Sequence, residues 1–135
     1  MQWNGSPGAG FSTAEPWLPI TENGAVNVEA QREDERSMLS MVRRMIRLRR
    51  TRNSLNSGRF EIVDASGDVL SYRRTSGEQE SFVALNFSEK ETSVMPPGGR
   101  SGEAVILCST YMDIMNPPAG EEIPLRPGEG MMVSL

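Results

Sequence analysis

The chain has 135 residues, one domain's length, and a formal charge of −4, which argues against nonspecific binding to nucleic acid or an anionic membrane. It has no histidine and a single cysteine, Cys108, so imidazole catalysis, imidazole metal ligation, an internal disulfide and a CxxC site are excluded. No apolar run is long enough to span a bilayer, and MQWNGSPGAG lacks the basic and apolar regions of a secretory signal, so a cytoplasmic location is expected.

Residues 1–33 are punctuated by Gly5, Pro7, Gly8, Gly10, Pro16, Pro19, Asn23 and Gly24. Neither a period of 2 nor one of 3.6 runs through them, and an irregular segment is predicted. Its length is unusual for a loop inside a compact domain. Its apolar side chains (Trp3, Phe11, Trp17, Leu18, Ile20) call for a surface to cover. A helix is predicted from Glu35 to Thr51, with Asp34 as N-cap. Met38, Val42, Met45, Ile46 and Arg49 form its apolar-side stripe, and arginines crowd its C-terminal half, where they suit the helix dipole. Asn53, Asn56 and Gly58 end the helix.

From residue 59 the pattern is strand after strand. Phe60–Asp64, Val69–Thr75, Glu80–Phe87, Thr92–Met95, Ala104–Ser109, Ile123–Leu125 and Gly130–Leu135 are separated by turn residues, among them Pro96-Pro97-Gly98-Gly99, Pro117-Pro118 and Pro127-Gly128. Short strands at this spacing predict an antiparallel β-sandwich. The continuous apolar run AVILCS predicts a strand covered on both faces.

Candidate chemistry is sparse. Glu121 and Glu122 are adjacent on a predicted strand and point to opposite faces. Glu89, Lys90 and Glu91 read as a solvated turn. Gly5–Gly10 is glycine-rich but lacks phosphate-loop spacing. Cys108 reads as inert core. Asn86-Phe87-Ser88 matches a glycosylation acceptor by chance, since it lies in a strand. No catalytic constellation, metal site or cofactor site emerges from the residues.

The opening, however, resembles a known stretch. Met1-Gln2-Trp3-Asn4, Ala9-Gly10-Phe11-Ser12, Pro16-Trp17-Leu18-Pro19 and Asn27-Val28-Glu29-Ala30-Gln31 are similar to the MQWD…NAGF…PWLPV…NVxAQ run of the α-glucosidase branch of the α-amylase superfamily. Oligo-1,6-glucosidases, trehalose synthases and sucrose isomerases share it. The helix pattern Ser37, Leu39, Arg43, Met45, Ile46, Leu48, Arg49 is also similar. Looser likenesses follow at Val83–Ser88 (VALNFS) and in Leu125–Gly130 with Met132–Leu135. Asn4 stands where the family more often has Asp, and Gly8 where it has Asn.

The resemblance implies a mixed fold: the tail of a (β/α)₈ barrel (loop after strand 8 and last helix, residues 1–54), then an all-β C-terminal antiparallel sandwich (55–135). It implies a C-terminal fragment of a retaining α-glucosidic hydrolase or transglycosylase, whose catalytic carboxylates lie upstream. Such a chain is expected to be inactive alone and without cofactor. Its partner is the missing barrel, and an oligosaccharide binds only in the parent. Self-association of the fragment is also expected. Barrel active sites are built from loops at the strand C-terminal ends, so Gln2, Trp3, Asn4 and Phe11 become substrate-proximal candidates, or packing residues of the loop. The rival reading is a free-standing β-sandwich that binds carbohydrate or a partner. It needs a row of exposed aromatics, whereas Phe60, Tyr72, Phe82, Phe87 and Tyr111 mostly occupy predicted core positions.

Overall fold

A computed structural model describes residues 2–20, 26–98, 104–113 and 122–135. Asn23, Gly24, Gly99, Pro117, Pro118 and Glu121 lie outside the described residues. The chain divides into two compact units, residues 1–43 and 44–135.

The first unit is more regular than its sequence suggests. A short helix, α1, runs Val28–Arg32, and the Asn27 side chain caps it by accepting from Ala30 N at 2.9 Å. Gln2 and Trp3 are tied to that helix: Val28 N donates to Gln2 O (3.1 Å) and Glu29 N to Trp3 O (2.9 Å). These bonds tie the segment together locally, while residues 2–20 contain no helix or strand, as the irregular reading expects. The expectation missed α1 because five residues are too few to display a period.

Helix α2 spans Met38–Thr51, three residues shorter at its start than predicted. Ser37, not Asp34, is its cap. The Ser37 hydroxyl accepts from Ser40 N (3.2 Å) and donates to Gln31 O (2.7 Å), while Gln31 Oε1 accepts from Leu39 N (2.9 Å). Asp34 instead closes a local turn, accepting from Arg36 N at 2.8 Å. No residue of α2 is buried; Met38, Val42, Met45 and Ile46 all remain 42–62% exposed. After α2, Asn53–Asn56 forms a one-turn helix, α3, where a simple stop was expected.

Among the described residues the second unit carries seven antiparallel strands: β1 (Arg59–Asp64), β2 (Val69–Ser76), β3 (Gln79–Asn86), β4 (Thr92–Val94), β5 (Val105–Ser109), β6 (Ile123–Leu125) and β7 (Gly130–Ser134). Five form one sheet in the order β1-β2-β3-β7-β5, and β4 pairs with β6 in a second. The turns are local: Gly67 and Gly77, at φ +59°, close the β1–β2 and β2–β3 hairpins in the left-handed region. Phe82 and Ala84 from β3, Met131 and Val133 from β7 and Ile106 from β5 meet Val94, Ile123 and Leu125 from the smaller sheet. The register explains the grouping, because Phe82, Val133 and Ile106 lie opposite one another across three strands and so share a face. This is the β-rich packing of two sheets that the alternation predicts.

Among the described residues β5 ends the five-stranded sheet; Val105 is exposed, but Ile106, Cys108 and Ser109 are buried, in line with the cover expected on both faces. A register shift between Ile106 and Cys108 lets both point into covered surroundings. One expectation fails: Phe60, Phe87 and Tyr111 are exposed rather than core, and Phe60 packs on Tyr72 with ring centroids 5.0 Å apart.

Candidate functional site

In the first unit, the turn that carries most of the sequence candidates is built by its own side chains. Asn4 Oδ1 accepts from Ser6 N (3.1 Å) and from the Ser6 hydroxyl (2.7 Å), and Ser6 Oγ accepts from Gly10 N (3.2 Å). Trp3 N donates to Ala9 O (2.8 Å), which closes the turn. The glycines are required. A Cβ on Gly8 would lie 1.8 Å from Ser12 O. One on Gly10, at φ +73°, would meet Asn4 Nδ2 at 2.9 Å. Asn4 is thus occupied in shaping the turn.

Beside this turn lies an open groove of about 790 Å³. Gln2, Phe11, Pro16, Trp17, Leu18, Pro19, Met38 and Val42 are among its lining residues. Of the four sequence candidates the structure brings Gln2 and Phe11 to this groove, while Trp3 and Asn4 do not line it. Trp17 and Leu18 were not among the candidates, although the Pro-Trp-Leu-Pro sequence flags them as apolar side chains in a turn-rich segment. Trp17 is 89% exposed and Phe11 52%. The groove's amides are engaged in structure: Asn27 caps α1 and Gln31 accepts from Leu39 N. Among the described residues, neither carboxylate, thiol nor lysine lines it. Such a surface can bury apolar or aromatic faces but supplies no acid, base or nucleophile.

The strongest electrostatic cluster sits in the second unit. Arg126 forks onto Asp113 (2.5 and 2.8 Å) and onto Glu129 (2.7 and 3.0 Å), and its guanidinium stacks 3.8 Å from the Tyr111 ring centroid. Glu129 is buried; it also accepts from the Ser109 hydroxyl and from Arg126 N. Burial pushes the Glu129 carboxyl up, but the Arg126 and Ser109 hydrogen bonds outweigh it and hold the group below its usual range. All of this pins the turn before β7. Asn86 does the same from the end of β3: its Nδ2 donates to Lys90 O (2.8 Å) and Arg126 O (3.0 Å). Asn86 is buried and its amide is used, so the glycosylation pattern there is not an acceptor site.

The remaining candidates are also structural. Burial pushes the Cys108 thiol up, away from the thiolate a nucleophile needs. Glu122 accepts from the Ser93 hydroxyl across the β4–β6 pair, and Glu89, Lys90 and Glu91 are exposed. Among the described residues no group of three His, Cys, Asp or Glu side chains is placed to hold a metal ion, and no helix is long and apolar enough to cross a membrane.

Comparison with known proteins places these features. Residues 1–58 match the family described as alpha amylase, catalytic domain. The chain is 30% identical to an oligo-1,6-glucosidase of Bacillus cereus over 137 aligned residues, which take in 100% of this chain and 24% of that protein. The chain is thus similar to α-glucosidases over about a quarter of their length, and its first 58 residues to the alpha-amylase catalytic domain. An oligo-1,6-glucosidase of Parageobacillus thermoglucosidasius aligns over the same shares at 29% identity. Among solved structures, the trehalulose synthase MutB from Pseudomonas mesoacidophila MX-45 superposes with a TM-score of 0.83 at 25% identity, over 98% of this chain and 24% of that one. A MutB mutant in complex with the substrate sucrose gives 0.85 at 26% over the same shares. The chain therefore spans about a quarter of the length of these relatives. Gln2 and the Pro16–Pro19 segment line the open groove, and the Leu125–Gly130 segment carries Glu129.

Proposed function

We propose that this chain is the C-terminal portion of a retaining α-glucosidase-type hydrolase or transglycosylase acting on α-glucosidic bonds, with residues 1–54 completing the catalytic barrel and 55–135 forming its β-sandwich. The catalytic carboxylates belong upstream, so the chain alone does no chemistry. In the complete enzyme the turn and groove segment lies at the mouth of the substrate pocket, with Gln2 and Phe11 nearest the sugar and Asn4 holding the turn. The groove's natural cover is the rest of the barrel, and the enzyme works in the cytoplasm.

The observation that carries this reading is the combination in residues 1–58: they match a catalytic-domain family, yet large apolar side chains such as Trp17 and Phe11 face outward around a groove that, among the described residues, holds no acid or base. A segment that keeps the family's sequence while exposing Trp17, Phe11 and Met38 is shaped to be covered by more protein. Two assays test it. The purified chain should release no p-nitrophenol from p-nitrophenyl α-glucoside. Replacing the last quarter of the Bacillus cereus oligo-1,6-glucosidase with this chain should give a folded enzyme that retains turnover. Turnover by the isolated chain that vanishes on mutating one of its own acids contradicts the proposal, as does a folded but inactive chimera.

A further inference from the structure

Helix α1 has only five residues, too few to persist alone, so its place is set by what ties its two ends. At its start each N–H is engaged. Val28 N donates to Gln2 O (3.1 Å), Glu29 N to Trp3 O (2.9 Å), Ala30 N to Asn27 Oδ1 (2.9 Å) and Gln31 N to Asn27 O (3.0 Å). The first two bonds hold the main chain at Gln2 and Trp3, and with it the Gln2 side chain that lines the groove. At its far end α1 is tied to the start of α2 by one residue. Gln31 O accepts from the Ser37 hydroxyl (2.7 Å), and Gln31 Oε1 accepts from Leu39 N (2.9 Å). Leu39 N lies in the first turn of α2, where an N–H has no partner within the helix, so Gln31 caps α2 beside Ser37.

We infer that Gln31 is a positioning residue for Gln2 in the complete enzyme, an inference that rests on the α-glucosidase reading above. Gln31 fixes α1 on α2, and the first two N–H groups of α1 fix the Gln2 and Trp3 main chain. Gln31 acts through that helix and not by a sugar contact of its own, since its Oε1 is occupied by Leu39 N. The bond from Leu39 N needs an acceptor and nothing else from the side chain. Glu supplies one, and its charge suits the N-terminal end of α2. Met matches Gln in length and offers no comparable acceptor.

Amide exchange on the 135-residue chain reads the link. Gln31→Met should speed exchange at Val28 and Glu29 about tenfold, although their own acceptors, Gln2 O and Trp3 O, are untouched. Ala9 and Ser12 donate to Ser6 O and Gly8 O within the neighbouring turn, and they should exchange as in the parent. Gln31→Glu should match the parent throughout. In the chimeric enzyme, with p-nitrophenyl α-glucoside, Gln31→Met should raise KM about three- to tenfold and leave kcat within about twofold. A group that holds the sugar equally before and during the reaction affects binding alone. Gln31→Glu should restore the parent KM; because it lacks the amide N–H, it would not do so if Gln31 held the sugar through that group. Indifference of Val28 and Glu29 to Gln31→Met overturns the inference. So does equal acceleration at Ala9 and Ser12, which would make Gln31 a general support of the unit. An active chimera whose KM ignores Gln31→Met, or is not restored by Gln31→Glu, overturns the positioning role alone. A folded, unmutated chimera without turnover contradicts the α-glucosidase reading, and the positioning role falls with it.

Discussion

The two units of this chain treat their apolar side chains in opposite ways. In residues 44–135, Phe82, Ile123, Leu125 and Val133 are at most 1% exposed, gathered between a five-stranded and a two-stranded sheet. In residues 1–43, Trp17 is 89% and Met38 62% exposed, and the buried residues are mostly small or polar: Ala9, Asn27, Val28 and Ser37. The second unit holds itself by packing. The first is held by hydrogen bonds: a capped one-turn helix, an Asn4–Ser6 turn and the Ser37–Gln31 clasp. A segment that is well bonded but poorly packed has a defined shape and an exposed apolar surface.

The comparison can be broken first at the core. Phe82→Ala should cost about 3–5 kcal/mol, the range for emptying a packed aromatic site, read as a large drop in urea midpoint. A loss below 1 kcal/mol would show that the sheets do not close over Phe82. Glu129→Gln should cost about 2–4 kcal/mol, because it leaves the Arg126 guanidinium short of a buried anionic partner. The same residue sets a pH dependence. Its native carboxyl titrates below the usual carboxylate value, so its contribution is complete above about pH 4.3 and is lost as pH falls through the lower native value. Urea titrations from pH 7 to 3 should show a downward slope in the parent that flattens in Glu129→Gln; equal slopes would contradict the staple.

Smaller effects sharpen the contrast from the other side. Ser37→Ala should cost about 1 kcal/mol of helix stability and Asp34→Ala less, as judged by circular dichroism, since only Ser37 caps α2. The reverse ranking would reinstate Asp34. Trp17→Ala should leave the free chain within about 0.5 kcal/mol of the parent, because its ring has few partners there to lose. In the chimeric enzyme the same change should lower thermal stability measurably.

Much of the second unit was legible in advance because its signals are local. Strand limits fall within two residues of expectation, since alternation and turn residues such as Gly67 and Gly77 mark them directly. What was illegible depends on neighbours distant in sequence. The edge position of β5 follows from β7 inserting beside β3, and nothing within AVILCS encodes that. The part played by Glu129 needs Ser109 and Asp113 delivered by another strand and its following loop. In the first unit, the α2 start was misplaced because Asp34 and Ser37 are both good caps, and only Gln31, brought back by α1, decides between them. Of the sequence candidates, Gln2 and Phe11 line the groove and Trp3 and Asn4 do not, a separation that depends on how the turn folds back and that the resemblance alone did not supply.

Hydrogen exchange on the free chain and on the chimeric enzyme tests the central contrast most directly. In the free chain the amides of β3 and β7 should exchange slowly, and those of Trp3, Ala9, Val28 and Leu39 faster, despite their hydrogen bonds. In the chimera the β3 and β7 amides should be unchanged while residues 2–43 gain at least tenfold protection. Equal protection of residues 2–43 in both proteins would contradict the account, because it would mean that the first unit is already complete in the free chain.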